Sequence, residues 1–176
     1  MNNNNNKSNN NNNPKTEYEK ARNYCIYLLA RAAKSRKQLM DMMLAKQYSQ
    51  NAIDEVIKLL SSKGYIDDIA FAKSYISSKT RAGNHGKKRI VIALMQKGVA
   101  KEDIIMAYNQ LFEENRIGEE ESELINAKKA LEKKLANKDP ELLKDPKQKR
   151  RIMEFLMRRG FSYDVVKKAL GDMAQI

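Results

Sequence analysis

The chain carries one histidine, His85, and one cysteine, Cys25. A Ser/His/Asp or Cys/His arrangement would have to be assembled around that single imidazole from distant partners. His85 stands between Asn84 and Gly86 and reads as a solvated loop residue. No cysteine–histidine grouping has the spacing of a zinc site. Asp67-Asp68 invite a general acid/base or metal-pair reading, but an aspartate directly before an apolar helical run is accounted for as a helix cap. Gly83-Asn84-His85-Gly86-Lys87-Lys88 faintly resembles a phosphate loop, yet it lacks the spacing, a preceding strand and a downstream magnesium ligand. Glu119-Glu120-Glu121 suit the positive end of a helix dipole and read as structural. No enzymatic activity, cofactor or metal is expected.

The basic residues are more informative. Lys and Arg number 34 against 22 Asp and Glu, a formal charge of +12. Such an excess predicts attraction to a polyanion: nucleic acid, an anionic membrane or an acidic protein face. The charge gathers at Arg36-Lys37, Lys87-Lys88-Arg89 and Lys149-Arg150-Arg151, with Arg81, Lys79, Arg158, Lys167 and Lys168 extending it. These are the candidate partner-binding residues, above all Arg36, Lys37, Arg81, Lys87, Lys88, Arg89, Lys149, Arg150 and Arg151.

The elements that must position them are helical throughout. Only 7 Gly and 3 Pro, no Trp, and abundant Lys, Glu, Leu, Ala and Met point to an all-α chain. Ala21, Tyr24, Cys25, Leu28, Leu29 and Ala32 recur at three and four residues, so Cys25 reads as a small buried hydrophobe. Ser35 with Gln38 has capping-box spacing; the helix it opens bears Leu39, Met40, Met43 and Leu44. Ser49 opens a third helix with Ile53, Val56, Ile57 and Leu60, which Gly64 ends. Asp67 or Asp68 caps the next, and Ile66 is placed to pack against Ala70 or Phe71. Second-unit helices are predicted over about 68–81, 87–97 and 101–115, the last with Ile104, Ile105, Tyr108, Leu111 and Phe112 inward. A longer helix with Leu124, Ala127, Leu131 and Leu135 follows Gly118. After a loop near 137–146, one helix bears Ile152, Phe155 and Leu156, and a last one Val165, Val166, Ala169, Leu170 and Met173.

These units repeat. Lys46-Gln47-Tyr48-Ser49, Lys97-Gly98-Val99-Ala100 and Arg159-Gly160-Phe161-Ser162 are one motif: a basic residue, a helix terminator, an apolar anchor and a small residue. The offsets, Gln47 to Gly98 and Gly98 to Gly160, are 51 and 62 residues. They also superpose Leu39, Ile90 and Ile152, and Met43, Leu94 and Leu156. Three tandem three-helix repeats in an elongated array follow: 17–65, 66–117 and 118–176, after a disordered Asn-rich tail over 1–16. The same offsets bring Arg36, Lys87 and Lys149 together, then Lys37, Lys88 and Arg150, then Gln38, Arg89 and Arg151. Each unit is thus expected to place cations in the first turn of its second helix. A helix dipole disfavours them there by about 0.3 kcal/mol each, which an anionic partner would reverse.

Gly64-Tyr65-Ile66-Asp67-Asp68 with Phe71-Ala72, then Gly86, Arg89-Ile90, Leu94 and Lys97-Gly98-Val99, resembles the central motif of the RecX family, bacterial regulators of the recombinase RecA. The resemblance is sharp over about 64–108 and looser from about 20 to 173. Gln47, where the other units have glycine, and the Asn-rich tail depart from the pattern. The resemblance implies a three-repeat helical build and binding along the groove of the RecA–single-stranded DNA filament. It further implies restraint of recombination through reduced ATP hydrolysis, blocked extension or faster disassembly. Two other readings stand beside it. In the first, helix-turn-helix-like triplets bind single- or double-stranded DNA without sequence preference; Asp54-Glu55 and Glu102-Asp103, which open the third helices, argue against base reading. In the second, the chain is a helical scaffold whose basic turns are incidental. No apolar run approaches the ~20 residues of a membrane span, and no signal-peptide core opens the chain. A monomer in the reducing cytoplasm is expected.

Overall fold

The computed structural model describes residues 16–115, 118–136 and 145–173. Every element in them is helical: α1 (Glu17–Arg31), α2 (Arg36–Ala45), α3 (Gln50–Ser62), α4 (Asp68–Ala82), α5 (Lys87–Gln96), α6 (Lys101–Asn115), α7 (Glu119–Leu135), α8 (Pro146–Arg158) and α9 (Tyr163–Met173). Most of the Asn-rich tail and of the loop before α8 lie outside the described residues.

Local chemistry sets the helix starts. Thr16 with Glu19 and Ser35 with Gln38 form reciprocal capping boxes, and Ser49 caps α3. Of the two candidate aspartates, Asp67 is the cap: its carboxylate accepts the Ile69 and Ala70 N–H groups, each at 2.9 Å. Each cap satisfies helix-start donors that would otherwise lack a partner.

The repeat is visible in the backbone itself. Gln47, Gly98 and Gly160 all adopt the left-handed conformation, at φ 63°, 79° and 88°. After each, the next N–H reaches back to the fifth residue before it: Tyr48 to Met43, Val99 to Leu94 and Phe161 to Leu156. This is the same Schellman closure three times.

Each unit packs its own core. Cys25, Leu39, Met43, Ile53, Val56 and Leu60 fill the first, Ala72, Ile76, Ile90, Leu94 and Ile104 the second, and Leu131, Ile152, Leu156, Phe161, Val166 and Leu170 the third. Four apolar assignments need correcting. Ala32 is the extended residue that ends α1 and is exposed. Leu44 and Ile105 are exposed, Ala107 taking the buried place beside Ile104. Ile66 is buried in the first unit's core rather than against Phe71. It closes off the base of α3, where its N–H also reaches the Leu60 carbonyl.

Candidate partner-binding interface

The second helices of the three units, α2, α5 and α8, run head to tail. At the first junction the Ser35 hydroxyl, fully buried, donates to the Lys97 carbonyl at 2.5 Å. The Arg36 N–H donates to Asp68 at 2.8 Å. At the second junction the Gly86 N–H donates to the Arg159 carbonyl at 2.8 Å and the Lys88 N–H to that of Gly160 at 3.3 Å. The Lys87 N–H there donates to Glu123 at 3.2 Å. In both, the start of one second helix docks on the end of the next, and a carboxylate from the next unit's first helix takes a first-turn N–H.

This geometry revises the electrostatic argument made from sequence. The cations at the start of α2 and α5 lie beside the carbonyl end of the following second helix, which is the favourable end for positive charge. Arg89, for example, donates to the Arg158 carbonyl at 3.5 Å. Their dipole cost is therefore offset within the fold, before any partner binds.

The predicted contact residues separate accordingly. Arg36, Lys88 and Arg89 are exposed on this row. Lys37 pairs with Asp41 at 2.7 Å, both exposed. Lys87 is half-buried, paired with Glu119 and set over the Tyr108 ring at 5.0 Å, so it ties the second unit to the third. Arg81 lies apart, against Ser74, Ser77 and Ser78 of α4. Lys149, Arg150 and Arg151 are not in a first turn. Helix α8 begins at Pro146 under an Asp145 cap and has 13 residues against 10 in α2 and α5. The three residues therefore sit a turn further in, exposed, with Arg150 paired to Glu154 at 3.3 Å.

Two repeated features were missed in the sequence. The basic residue of the terminator motif lies over an aromatic ring in every unit: Lys46 over Tyr24 at 5.9 Å, Lys97 over Tyr75 at 5.5 Å and Arg159 over Phe155 at 4.3 Å. And each second helix exposes one large apolar side chain at its penultimate position: Leu44 (46%), Met95 (51%) and Met157 (47%). The same offsets that aligned the cores align these three. At both junctions, the helix that carries such a residue, α5 or α8, receives the basic first turn of the preceding unit at its end.

Burial pushes the carboxyls of Asp68 and Glu123 up, although the N–H groups of Arg36 and Lys87 pull the other way. The carboxyls of Glu17 and Glu120 are held down, the first by the Ser49 cap and the second by the Lys168 ammonium. Two members of the acidic cluster at the start of α7, Glu119 and Glu120, thus tie elements together.

Three tandem three-helix units joined through their second helices, with exposed apolar and basic residues recurring along the row, define a class of helical-repeat protein. Comparison with known proteins narrows it. The first, second and third three-helix domains of RecX match residues 21–60, 67–107 and 121–170. The regulatory protein RecX of Pelodictyon phaeoclathratiforme is 33% identical over 150 residues, covering 85% of this chain and 86% of that protein. That of Clostridium botulinum strain Eklund 17B is 30% identical over 148 residues, covering 84% of this chain. Of that relative's length the chain spans 66%. The crystal structure of RecX from Lactobacillus salivarius shares the fold, with a TM-score of 0.76 at 22% identity over 91% of this chain and 98% of that one. The chain belongs to the RecX family, whose curated members bear the name of regulatory proteins.

Proposed function

We propose that this protein binds the RecA–single-stranded DNA filament and restrains its ATPase, its recombinase activity and its growth, acting as a cytoplasmic monomer by binding alone. The observation that carries this reading is the row of second helices. Leu44, Met95 and Met157 recur, exposed, at equivalent places along it. A surface that repeats along its length suits a partner that repeats along its own, because each contact raises the effective concentration of the next. The net charge of +12 favours a partner of acidic protein and DNA.

The test is the DNA-dependent ATPase of the cognate recombinase, with and without the full chain. Suppression is expected well below one regulator per recombinase. The double substitution Lys88→Ala and Met95→Ala, both exposed, should leave the fold intact by circular dichroism and weaken suppression at least tenfold. Lys87 is left in place because it ties two units together. Unchanged suppression by the variant would remove the row as the contact surface, and no suppression by the native chain would remove the reading itself.

A further inference from the structure

His85 is not a solvated loop residue. It is half-buried where the second unit meets the third, and its Nδ1 is buried with no hydrogen-bond partner among the described residues. On one side it lines an open groove of about 380 Å³ with Tyr75 and Lys79 of α4 and Arg89, Ile92 and Gln96 of α5. Among the described residues, no carboxylate lines that groove. Arg159 of the third unit stands near His85 beside the groove, donating to the Asn84 carbonyl at 3.3 Å with its guanidinium over the Phe155 ring, and Lys97 lies over the Tyr75 ring. Among the described residues, none of Lys79, Arg89, Lys97 and Arg159 has an acidic partner; the two guanidinium groups rest on carbonyl oxygens. The acids on the other side of His85 are engaged elsewhere, Glu119 with the Lys87 ammonium and Glu123 with the N–H groups of Lys87 and Ser162.

Burial, and then Arg89, Lys79 and Arg159, depress the basicity of His85, so this spot is positive without compensation. Two of these charges are particular to this junction. At the 51-residue offset, Leu28 and Gln38 stand in the first unit where Lys79 and Arg89 stand here, while Lys34 takes the place of His85.

We propose that this groove is a phosphate site for a single nucleic-acid strand, its phosphodiesters held by Lys79, Arg89 and Arg159. Lys97 continues the path beyond the Tyr75 ring. A line of cations crossing a unit boundary matches a regularly charged backbone better than one carboxylate, and an adjoining aromatic ring is a common feature of such grooves. Only the identity of the strand as DNA rests on the regulator reading.

The sole histidine reports on its own site, so the experiment needs neither recombinase nor label. The imidazole Hε1 resonance of the full chain is titrated against pH by NMR, alone and with an oligothymidylate of about ten nucleotides. Parallel titrations use inorganic phosphate at matched phosphate concentration and oligoglutamate of matched charge. The oligonucleotide is expected to raise the pKa of His85 by about one unit, a tenfold gain in proton affinity. Phosphate and oligoglutamate should have little effect. Lys79→Ala and Arg89→Gln, the second installing the first unit's residue, should each raise the pKa of the free protein and remove most of the response. No response to the oligonucleotide, an equal response to oligoglutamate, or a response to free phosphate alone would overturn the site. So would variants that respond like the native chain. Loss of this site with ATPase suppression retained would leave the regulator reading standing.

Discussion

Gln47, Gly98 and Gly160 hold the same left-handed conformation, yet only two of them are glycines. Packing supplies the reason. A methyl group on Gly160 would lie 2.5 Å from the Arg89 backbone nitrogen, and one on Gly98 would overlap the Lys37 side chain. Both glycines receive the preceding unit's second helix, whereas Gln47 belongs to the first unit and receives none. The departure at Gln47 from the family pattern is therefore a consequence of position in the array. Gln47→Gly should stabilise the protein by about 1 kcal/mol, the strain of a left-handed non-glycine residue. Gly160→Ala should cost that strain plus roughly 1–3 kcal/mol of overpacking against backbone that cannot yield. Urea unfolding of the two variants checks the opposite signs. Equal and small effects would mean that the junction does not need its close approach. Cys25 was legible as core, since its helical stripe says so directly; burial pushes its thiol up to about 11. His85 was not legible, because a Gly-flanked loop gives no sign that another unit closes over it.

At the scale of the helices, sequence located the caps at Ser35 and Ser49, left Asp67 and Asp68 undecided, and did not name the Thr16–Glu19 box. It misplaced the start of α8, where two signals competed. The repeat offset put the first turn at Lys149, while Asp145-Pro146 is itself a strong helix start, an N-cap followed by proline at the first helical position. The local signal prevailed, because a cap acts on its own turn whatever the neighbouring units do. The junction carboxylates were not legible as bridges: Asp68 stood as a candidate cap, a place that Asp67 takes, and nothing local shows that it will meet the Arg36 N–H. Protonation of Asp68, and of Glu17 inside the first unit, makes an opposed pair of expectations. Glu17, with its carboxyl held below the ordinary 4.5, contributes stability that is present above that value and lost as pH falls through the folded value. Asp68, raised above the ordinary 3.8, contributes stability that is full below 3.8 and lost as pH rises through the folded value. Glu17→Gln should thus lower stability at pH 7 and flatten its acid loss. Asp68→Asn keeps an acceptor for Arg36 and should leave stability at pH 7 unchanged or higher. Urea midpoints between pH 3 and 7 decide it; a large loss at pH 7 from Asp68→Asn would show that the charge, not the acceptor, holds the junction.

For the whole molecule, the count and register of the units could be read from offsets alone, because each unit buries Leu39, Ile90 or Ile152 and Met43, Leu94 or Leu156 at equivalent places. What the offsets could not convey is how the units join, since a helix start resting on another helix's end leaves no pattern beyond the two glycines. The join matters because it sets Leu44, Met95 and Met157 along one row, and a row makes a quantitative demand. Each side chain is about half-exposed, so covering it is worth about 1 kcal/mol, or roughly fivefold in affinity. If a repeating partner covers all three together, changing any one to Ser should weaken filament binding about fivefold, and the triple variant roughly a hundredfold. If only the central unit makes contact, Met95→Ser alone should account for the whole loss. None of the three is core, so the thermal midpoints of all four variants should match the native chain. Binding isotherms on a preassembled filament then separate the cases. Equal single losses that multiply in the triple variant require three units engaged at once, and a loss confined to Met95→Ser would reduce the array to a frame for its middle repeat.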